Sequence, residues 1–454
     1  MSYESIIGLE IHIELGTKSK MFCSCPAAHF GKEPNTLTCP VCLGLPGALP
    51  VPNKKAIEGT VLTGLALGCQ IPLFSKFDRK NYFYPDLPKG FQISQYDLPL
   101  AEKGSLKLKT STSAKASVDR QNLKFKTIRI RRVHLEEDTA KLIHQQTFTL
   151  IDFNRSGVPL MEIVTEPDLD SSQAVKSFLQ KLQHLVRYLG ISEADMEKGQ
   201  MRCEPTINLK ISKGKQVYFT PLVELKNINS FRFVQKALDY EIQRQQKEFE
   251  ETGEEKQQGN KTTRGWDETK NLTVLQRQKE EAHDYRYFPE PDIPPIRWTQ
   301  SQISELQSQI PELPEEKKKR FIKNYNLSED YVEILTETHE KADFFEKAVK
   351  VGKSQELTSE GIANVIVNKR LALEKLSPEE WVQNLLSRSK KMSLSEKKID
   401  KVIKEVLQEN PQAIADYKKG KQTAIEFFVG QVARKTKGWA DPNQTRKLLL
   451  EKLK

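Results

Sequence analysis

Glu10, His12 and Glu14 occupy alternate positions of Ile7-Gly8-Leu9-Glu10-Ile11-His12-Ile13-Glu14-Leu15, with an aliphatic residue at every odd position. In an extended strand, successive side chains point to opposite faces. The segment therefore sets two carboxylates and an imidazole in a row above a buried aliphatic face. Such a row can hold a cation or move protons. A half-exposed strand with a solvated polar face has the same pattern, so the reading turns on what other strands contribute.

Several contribute matching groups. Residues 127–138 read as a strand with Ile128 and Ile130 inward and Arg129, Arg131, His134, Glu136, Glu137 and Asp138 as polar members. Its alternation slips between Arg131 and Val133, which predicts a bulge. Residues 160–166 put Glu162 and Glu166 on one face, and residues 222–226 do the same with Glu224 and Lys226. Residues 201–211 alternate Arg202, Glu204, Thr206, Asn208 and Lys210 with Cys203, Pro205, Ile207, Leu209 and Ile211. Carboxylates gathered this densely repel one another unless cations sit among them. Oxygen-rich ligation suits Mg²⁺, which carries nucleotide phosphates. The pattern predicts an ATP·Mg²⁺ site on an antiparallel sheet. No P-loop or G-x-G-x-x-G motif is present, which excludes those two nucleotide folds.

A second cluster is Cys23, Cys25, Cys39 and Cys42, spaced C-x-C-x13-C-x2-C; Cys69 and Cys203 stand apart. In a cytosolic chain such a cluster is more often metal-binding than disulfide-bonded. Four thiolates suit tetrahedral zinc, and a site closed by four protein ligands is structural.

The elements that must position these groups follow from periodicity and caps. Residues 54–68 have helical spacing. Residues 76–97 mix aromatics, prolines and charges and read as an ordered loop lining a site, where rings and cations can sandwich a base and neutralise phosphates. Residues 110–121 look like a hairpin tip. Ser171 or Ser172 caps a helix reaching Leu189, and Asn229 or Ser230 caps another from Phe231, whose first N–H groups form a ready phosphate site. Pro289, Pro291, Pro294 and Pro295 mark a boundary. Beyond it, residues 302–454 are Lys/Glu-rich and helical in pattern, and 420–438 form a basic, partly apolar helix. The expectation is an α+β protein: an antiparallel-sheet cradle domain over 1–295 with a zinc-binding insert at 21–45, an all-α helical domain over 296–400, and a small α-helical tail over 401–454.

The chain has 454 residues and a formal net charge of +10, which suits a polyanionic partner such as a nucleic acid. No run approaches the roughly 18 apolar residues of a membrane span. The first strand leaves no room for a targeting peptide, so a cytoplasmic protein with no membrane association is expected.

The runs GLEIHIEL, FCSCP with TCPVCLGLPGALP, SKFDRKNYFYPDLPKGFQISQYDLP, HLEEDTAK, DFNRSGVPLMEIVTEPD, VELKNINSFRF and EEAHDYRYFPEPD resemble, in order over residues 3–292, the signature segments of the GatB subunit of the aspartyl/glutamyl-tRNA(Asn/Gln) amidotransferases. The resemblance implies a ligase subunit that binds mischarged Glu-tRNA(Gln) or Asp-tRNA(Asn). It activates the side-chain carboxylate with ATP to an acyl phosphate and amidates it with ammonia. The ammonia comes through a channel from a partner amidase, and a small third subunit makes the assembly a heterotrimer. By motif position, the Mg²⁺ ligands are His12, Glu137, Glu162 and Glu224. Strict alternation would place Glu136, not Glu137, beside His134. Glu10, Lys80 and Arg155 fall to catalysis, and Tyr82, Tyr84, Ser156, Asn227 and Ser230 to nucleotide contacts. Cys23, Cys25, Cys39 and Cys42 hold structural Zn²⁺. Glu204-Pro205-Thr206 departs from the family's Asp, Ala and Asn, and residues 388–409 look short. That departure suggests one alternative, a non-catalytic tRNA-binding scaffold; the carboxylate sheet by itself suggests another, a metal-dependent hydrolase. Glu14, with no matching partner, reads as a solvated strand end.

Overall fold

The computed structural model describes residues 1–110, 124–279, 285–355, 357–368, 376–392, 396–418, 424–436, 440 and 442–453. The expected hairpin tip beyond residue 110, residues 280–284 of the EEAHDYRYFPEPD run, and residues 420–423 and 437–438 of the expected basic helix lie outside these. The Ser2–Glu14 strand sits at the centre of a nine-stranded sheet. Its isoleucines are β-branched and alternate with polar residues, a pattern that fits a pleated surface with one buried face. It pairs along its whole length with Met201–Lys213, from Ser2 opposite Ser212 to Ile13 opposite Met201. On its other side it pairs with Pro159–Thr165. Outward from there come Lys124–Glu137 and Ala101–Thr110. On the opposite wing come Val223–Lys226, Lys261–Asp267 and Leu272–Lys279, with Gln216–Phe219 beside Met201–Lys213.

Among the described residues, every strand pairing in this sheet is antiparallel but one. Val223–Lys226 and Lys261–Asp267 run parallel, with the Phe231–Thr252 helix between them in sequence, as a parallel pair requires a crossover. The sheet is therefore mixed where an antiparallel one was expected.

The aliphatic face carries the core. Ile7, Leu9, Ile11 and Ile13 are buried together with Val61, Phe178, Leu182, Val234 and Leu238 from three helices, Lys54–Ala66, Ser172–Tyr188 and Phe231–Thr252. Asn53, Ser171 and Ser230 cap them by accepting from backbone N–H groups two or three residues on. Gly253 ends the third helix at φ 66°, in the left-handed region that glycine adopts without penalty. The expected 76–97 loop contains two short strands: Asp78–Asn81 lies between Phe91–Ser94 and Phe288–Pro289.

The chain divides into two compact units, Met1–Lys317 and Lys318–Lys454. The second is helical and holds two apolar clusters, one around Phe321, Phe345 and Trp381, the other around Ile403, Phe428 and Leu449. A sheet unit followed by helices is the α+β arrangement expected. Among the described residues, no helix is long and apolar enough to cross a membrane.

Ile11 is fully buried on the central strand. Ile11→Ala should therefore cost about 2–5 kcal/mol in denaturant unfolding; a loss under about 0.5 kcal/mol would show that this face is not packed.

Candidate active site

Strand register turns the alternation into transverse rows. One row runs His134, Glu162, His12, Arg202 across four adjacent strands. The next runs Arg132, Val164, Glu10, Glu204. A third continues from Gly8 to Thr206, Glu224 and Thr263. Directly opposed side chains lie within contact distance, so the whole first row, with Arg132, Glu10, Glu204 and Glu224 of the other two, forms the floor of a cavity of about 670 Å³. Its walls add Lys80, Tyr82, Gln92, Tyr96, Glu136, Asp138, Lys226, Lys261, Arg277, Tyr285 and Tyr287.

At one end, donor atoms of His12, Glu136 and Glu162 all lie within 4.8 Å of one another. His12 Nε2 is 3.6 Å from Glu136 Oε1 and 3.7 Å from Glu162 Oε2. Ligands about 2.1 Å from an ion stand roughly 3–4 Å apart, so the set fits a divalent cation with modest closure. His134 Nε2 lies 2.8 Å from Glu162 Oε2 and orients that carboxylate. The buried Nε atoms of Arg132 and Arg202 have no protein acceptor among the described residues. Both residues line the cavity, where their fixed positive charge favours an anionic ligand.

Glu137 is not in this group. The bulge sits at Arg131, between the pairings Ile130–Thr165 and Arg132–Val164. Beyond it, Arg132, His134 and Glu136 share the polar face, while Val133, Leu135 and Glu137 share the other. Glu137 accepts from Lys89 Nζ at 2.7 Å and from Ile93 N at 3.0 Å. Alternation, not motif position, pointed to the carboxylate that lies beside His12 and Glu162. Glu224 lines the cavity two rows from His12, 3.1 Å from both Lys226 and Lys261.

The electrostatics divide the carboxylates into two kinds. Burial opposes charge on Glu162, but His134, His12 and Lys80 outweigh it and hold the carboxyl well below its usual range. Asp138 is likewise held low against burial by Arg202 and Arg155. Glu10 goes the other way: burial first, then Glu162, Glu224 and Glu204, raise its proton affinity. Burial also works against the Lys80 ammonium, yet Glu136 in particular keeps its affinity above the ordinary lysine value. Lys80 Nζ lies 4.9 Å from the Tyr285 ring centroid and 5.6 Å from that of Tyr82, and Tyr96 stacks on Tyr287 at 4.3 Å.

Other expected contacts are engaged elsewhere. Arg155 donates from Nε to Thr139 O and from Nη2 to Ala140 O, both at 2.9 Å. Ser156 donates to Cys42 O at 3.1 Å. The Ser230 hydroxyl accepts from Phe233 N as a helix cap. Asn227 is exposed in a left-handed turn at φ 62°, and Tyr84 is 56% exposed. None of these five lines the cavity. Glu14, expected to be solvated, is buried with its Oε2 3.1 Å from His29 Nε2. The cavity arginines Arg132 and Arg202 went unassigned by sequence, although both share the phase of their strands' acids.

Cys23, Cys25, Cys39 and Cys42 converge, with all four sulfurs within 4.8 Å of one another. Cys39 N donates to Cys42 Sγ at 3.1 Å. The Cys23 thiol, then the Cys39 amide and the buried Lys20, hold the Cys42 thiol down at about 4. Four soft donors, one already favoured as thiolate, fit zinc.

Residues 5–304 match the family described as the GatB/GatE catalytic domain, and residues 326–453 match the GatB domain. Among curated proteins, the chain is 44% identical to the GatB subunit of the aspartyl/glutamyl-tRNA(Asn/Gln) amidotransferase of Thermotoga petrophila, over 99% of this chain and 98% of that one. It is 44% identical to the same subunit of Persephonella marina over the whole of both chains. Against that of Thermomicrobium roseum the identity is 46%, over 100% of this chain and 99% of the other.

Because Glu10 binds its proton more tightly when folded, its ionisation weakens the fold as pH rises above the usual carboxylate range. In metal-free buffer, Glu10→Gln should melt higher than the parent at neutral pH, and the gap should close as the pH falls below about 4, where Glu10 becomes protonated in both states. A gap that widens on acidification would contradict the burial of its charge. Cys39→Ser should release about one zinc per chain and lower the melting temperature; unchanged melting with no metal in either protein would remove the zinc site.

Proposed function

The chain belongs to the GatB family of aspartyl/glutamyl-tRNA(Asn/Gln) amidotransferase subunits, and from that premise we propose that it is a ligase subunit that amidates tRNA-bound Glu, Asp or both, using ATP and ammonia from glutamine. The observation that carries this reading is the convergence of His12, Glu136 and Glu162 on a sheet floor beside the cavity-lining cations Lys80, Arg132 and Arg202.

The substrate carboxylate attacks the γ-phosphorus of ATP and ADP departs, giving an acyl phosphate. Ammonia then adds to the acyl carbon, phosphate leaves, and one proton is released as the amide forms. Phosphoryl transfer is mainly positioning and neutralisation of charge. Mg²⁺, held by His12, Glu136 and Glu162, supplies neutralisation of the phosphates when bound. Lys80, Arg132 and Arg202 present fixed cations to the transferred group, and the tyrosines at the rim offer faces for a base. Glu10, with its raised proton affinity, takes up the proton that ammonia sheds. The second unit, whose Ala424–Lys435 helix ends in Arg434 and Lys435, holds the tRNA body as helical and tail domains. A partner amidase and a small third subunit make up the rest of the assembly.

The scaffold alternative rested on Glu204-Pro205-Thr206. Glu204 keeps a carboxylate in the cavity, 2.6 Å from Lys226, so the departure removes no charge there.

In the reconstituted complex, His12→Ala should lower ATP turnover stimulated by mischarged tRNA by about 100-fold, with tRNA affinity within about threefold of the parent. Parent protein that binds mischarged tRNA tightly without turning over ATP would establish the scaffold reading instead.

A further inference from the structure

The cysteine insert touches the sheet unit through a set of directed bonds that the reaction itself does not use. Asn35 Oδ1 accepts from Phe153 N at 2.8 Å, its Nδ2 donates to Ile151 O at 3.0 Å, and its own N–H donates to Asp152 Oδ1 at 3.0 Å. Cys42 O receives Ser156 Oγ, and Met21 N donates to Gly157 O at 2.7 Å. The insert thus grips residues 151–157 from both of its cysteine pairs.

That gripped segment reaches the cavity wall. Arg155 holds the carbonyls of Thr139 and Ala140. Gly157 N donates to Asp138 O and Asp138 N to Val158 O, at 2.9 and 2.8 Å. Asp138 Oδ2 then takes Arg202 Nη2 at 2.5 Å, and both side chains line the cavity. A second arm, His29 on Glu14, meets the central strand two residues from His12.

The insert is anchored at its start, where Met21 and Phe22 are buried in the sheet's core, but Phe30 and Leu45 further along are 64% and 50% exposed. A stretch packed this sparsely draws on a metal or a disulfide for its conformation. The four converged sulfurs are that device here.

We propose that the insert is a positioning clamp: zinc-set cysteines fix Asn35 and Ser156, these fix residues 151–157, and Arg155 thereby holds Asp138 and Arg202 in register with the metal-binding end of the cavity. Asn35, Ser156 and Arg155 are positioning residues that touch no substrate. The activity arm of the test rests on the ligase reading, whereas the exchange arm does not.

Asn35 sits at φ 60°, a conformation glycine adopts freely, so Asn35→Gly removes two bonds without backbone strain. In the reconstituted complex, this variant should keep about one zinc per chain and exchange the Asp138 and Gly157 amides about tenfold faster. Its kcat for tRNA-stimulated ATP turnover should fall about tenfold, with KM for glutamine unchanged. Asn35→Asp, which keeps the acceptor for Phe153 N, should recover part of both effects. Chelating zinc from the parent should produce the same local exchange, and restoring zinc should reverse it. Parent-like exchange and kcat in Asn35→Gly would overturn the clamp. If the parent turned over no ATP, the ligase reading would fall and amide exchange would still decide the clamp.

Discussion

Carboxylates cannot crowd one face of a sheet unless cations are interleaved with them. Two such groups 4 Å apart repel by about 4 kcal/mol at an effective dielectric of 20. The sheet meets this constraint through register. Glu162 falls between His134 and His12, Glu204 and Glu224 share Lys226, and Asp138 lies between Arg155 and Arg202. Each pairing depends on strands from different parts of the chain meeting at one offset. A slip of one residue would reverse every face. Glu10 is the exception, opposite Glu204 and close to Glu162 and Glu224, and its raised proton affinity follows from that company.

The opposite face makes this arrangement rigid. The same strand that carries Glu10 and His12 buries Ile7, Leu9, Ile11 and Ile13 against three capped helices. Core packing therefore fixes the lateral position of polar groups that repel one another when empty of ligand. The energetic division is plain: burial of the aliphatic face stabilises the sheet, and the charged face draws on that stability.

What the sequence disclosed was whatever depends on local period. Alternation alone placed Glu10, His12, Glu162, Glu204 and Glu224 on common faces, and it favoured Glu136 over Glu137; motif position pointed to Glu137. The bulge at Arg131 was legible as a slip in that alternation, although its consequence for phase needed the pairings on both sides. Arg155, Ser156 and Ser230 are residue types equally suited to holding a phosphate or a backbone group. Their partners decide the matter, and Ser156 finds its partner 114 residues away. Glu14 failed for the same reason, since His29 comes from a loop whose path no periodicity reveals. The aromatic stretch at 76–97 looked irregular because its strands are only four residues long.

The central strand also precedes, in sequence, the strands it pairs with. Ser2–Glu14 has no neighbour in the sheet until Pro159–Thr165 and Met201–Lys213 follow. At about 5–20 residues per second, synthesis leaves this strand without a partner for on the order of ten seconds. During that interval, a row of isoleucines and two open edges are exposed together, the combination most prone to wrong pairing between chains. The charged face then has a second role during biosynthesis: Glu10, His12 and Glu14 interrupt the apolar run and act as gatekeepers against aggregation before any ligand is bound.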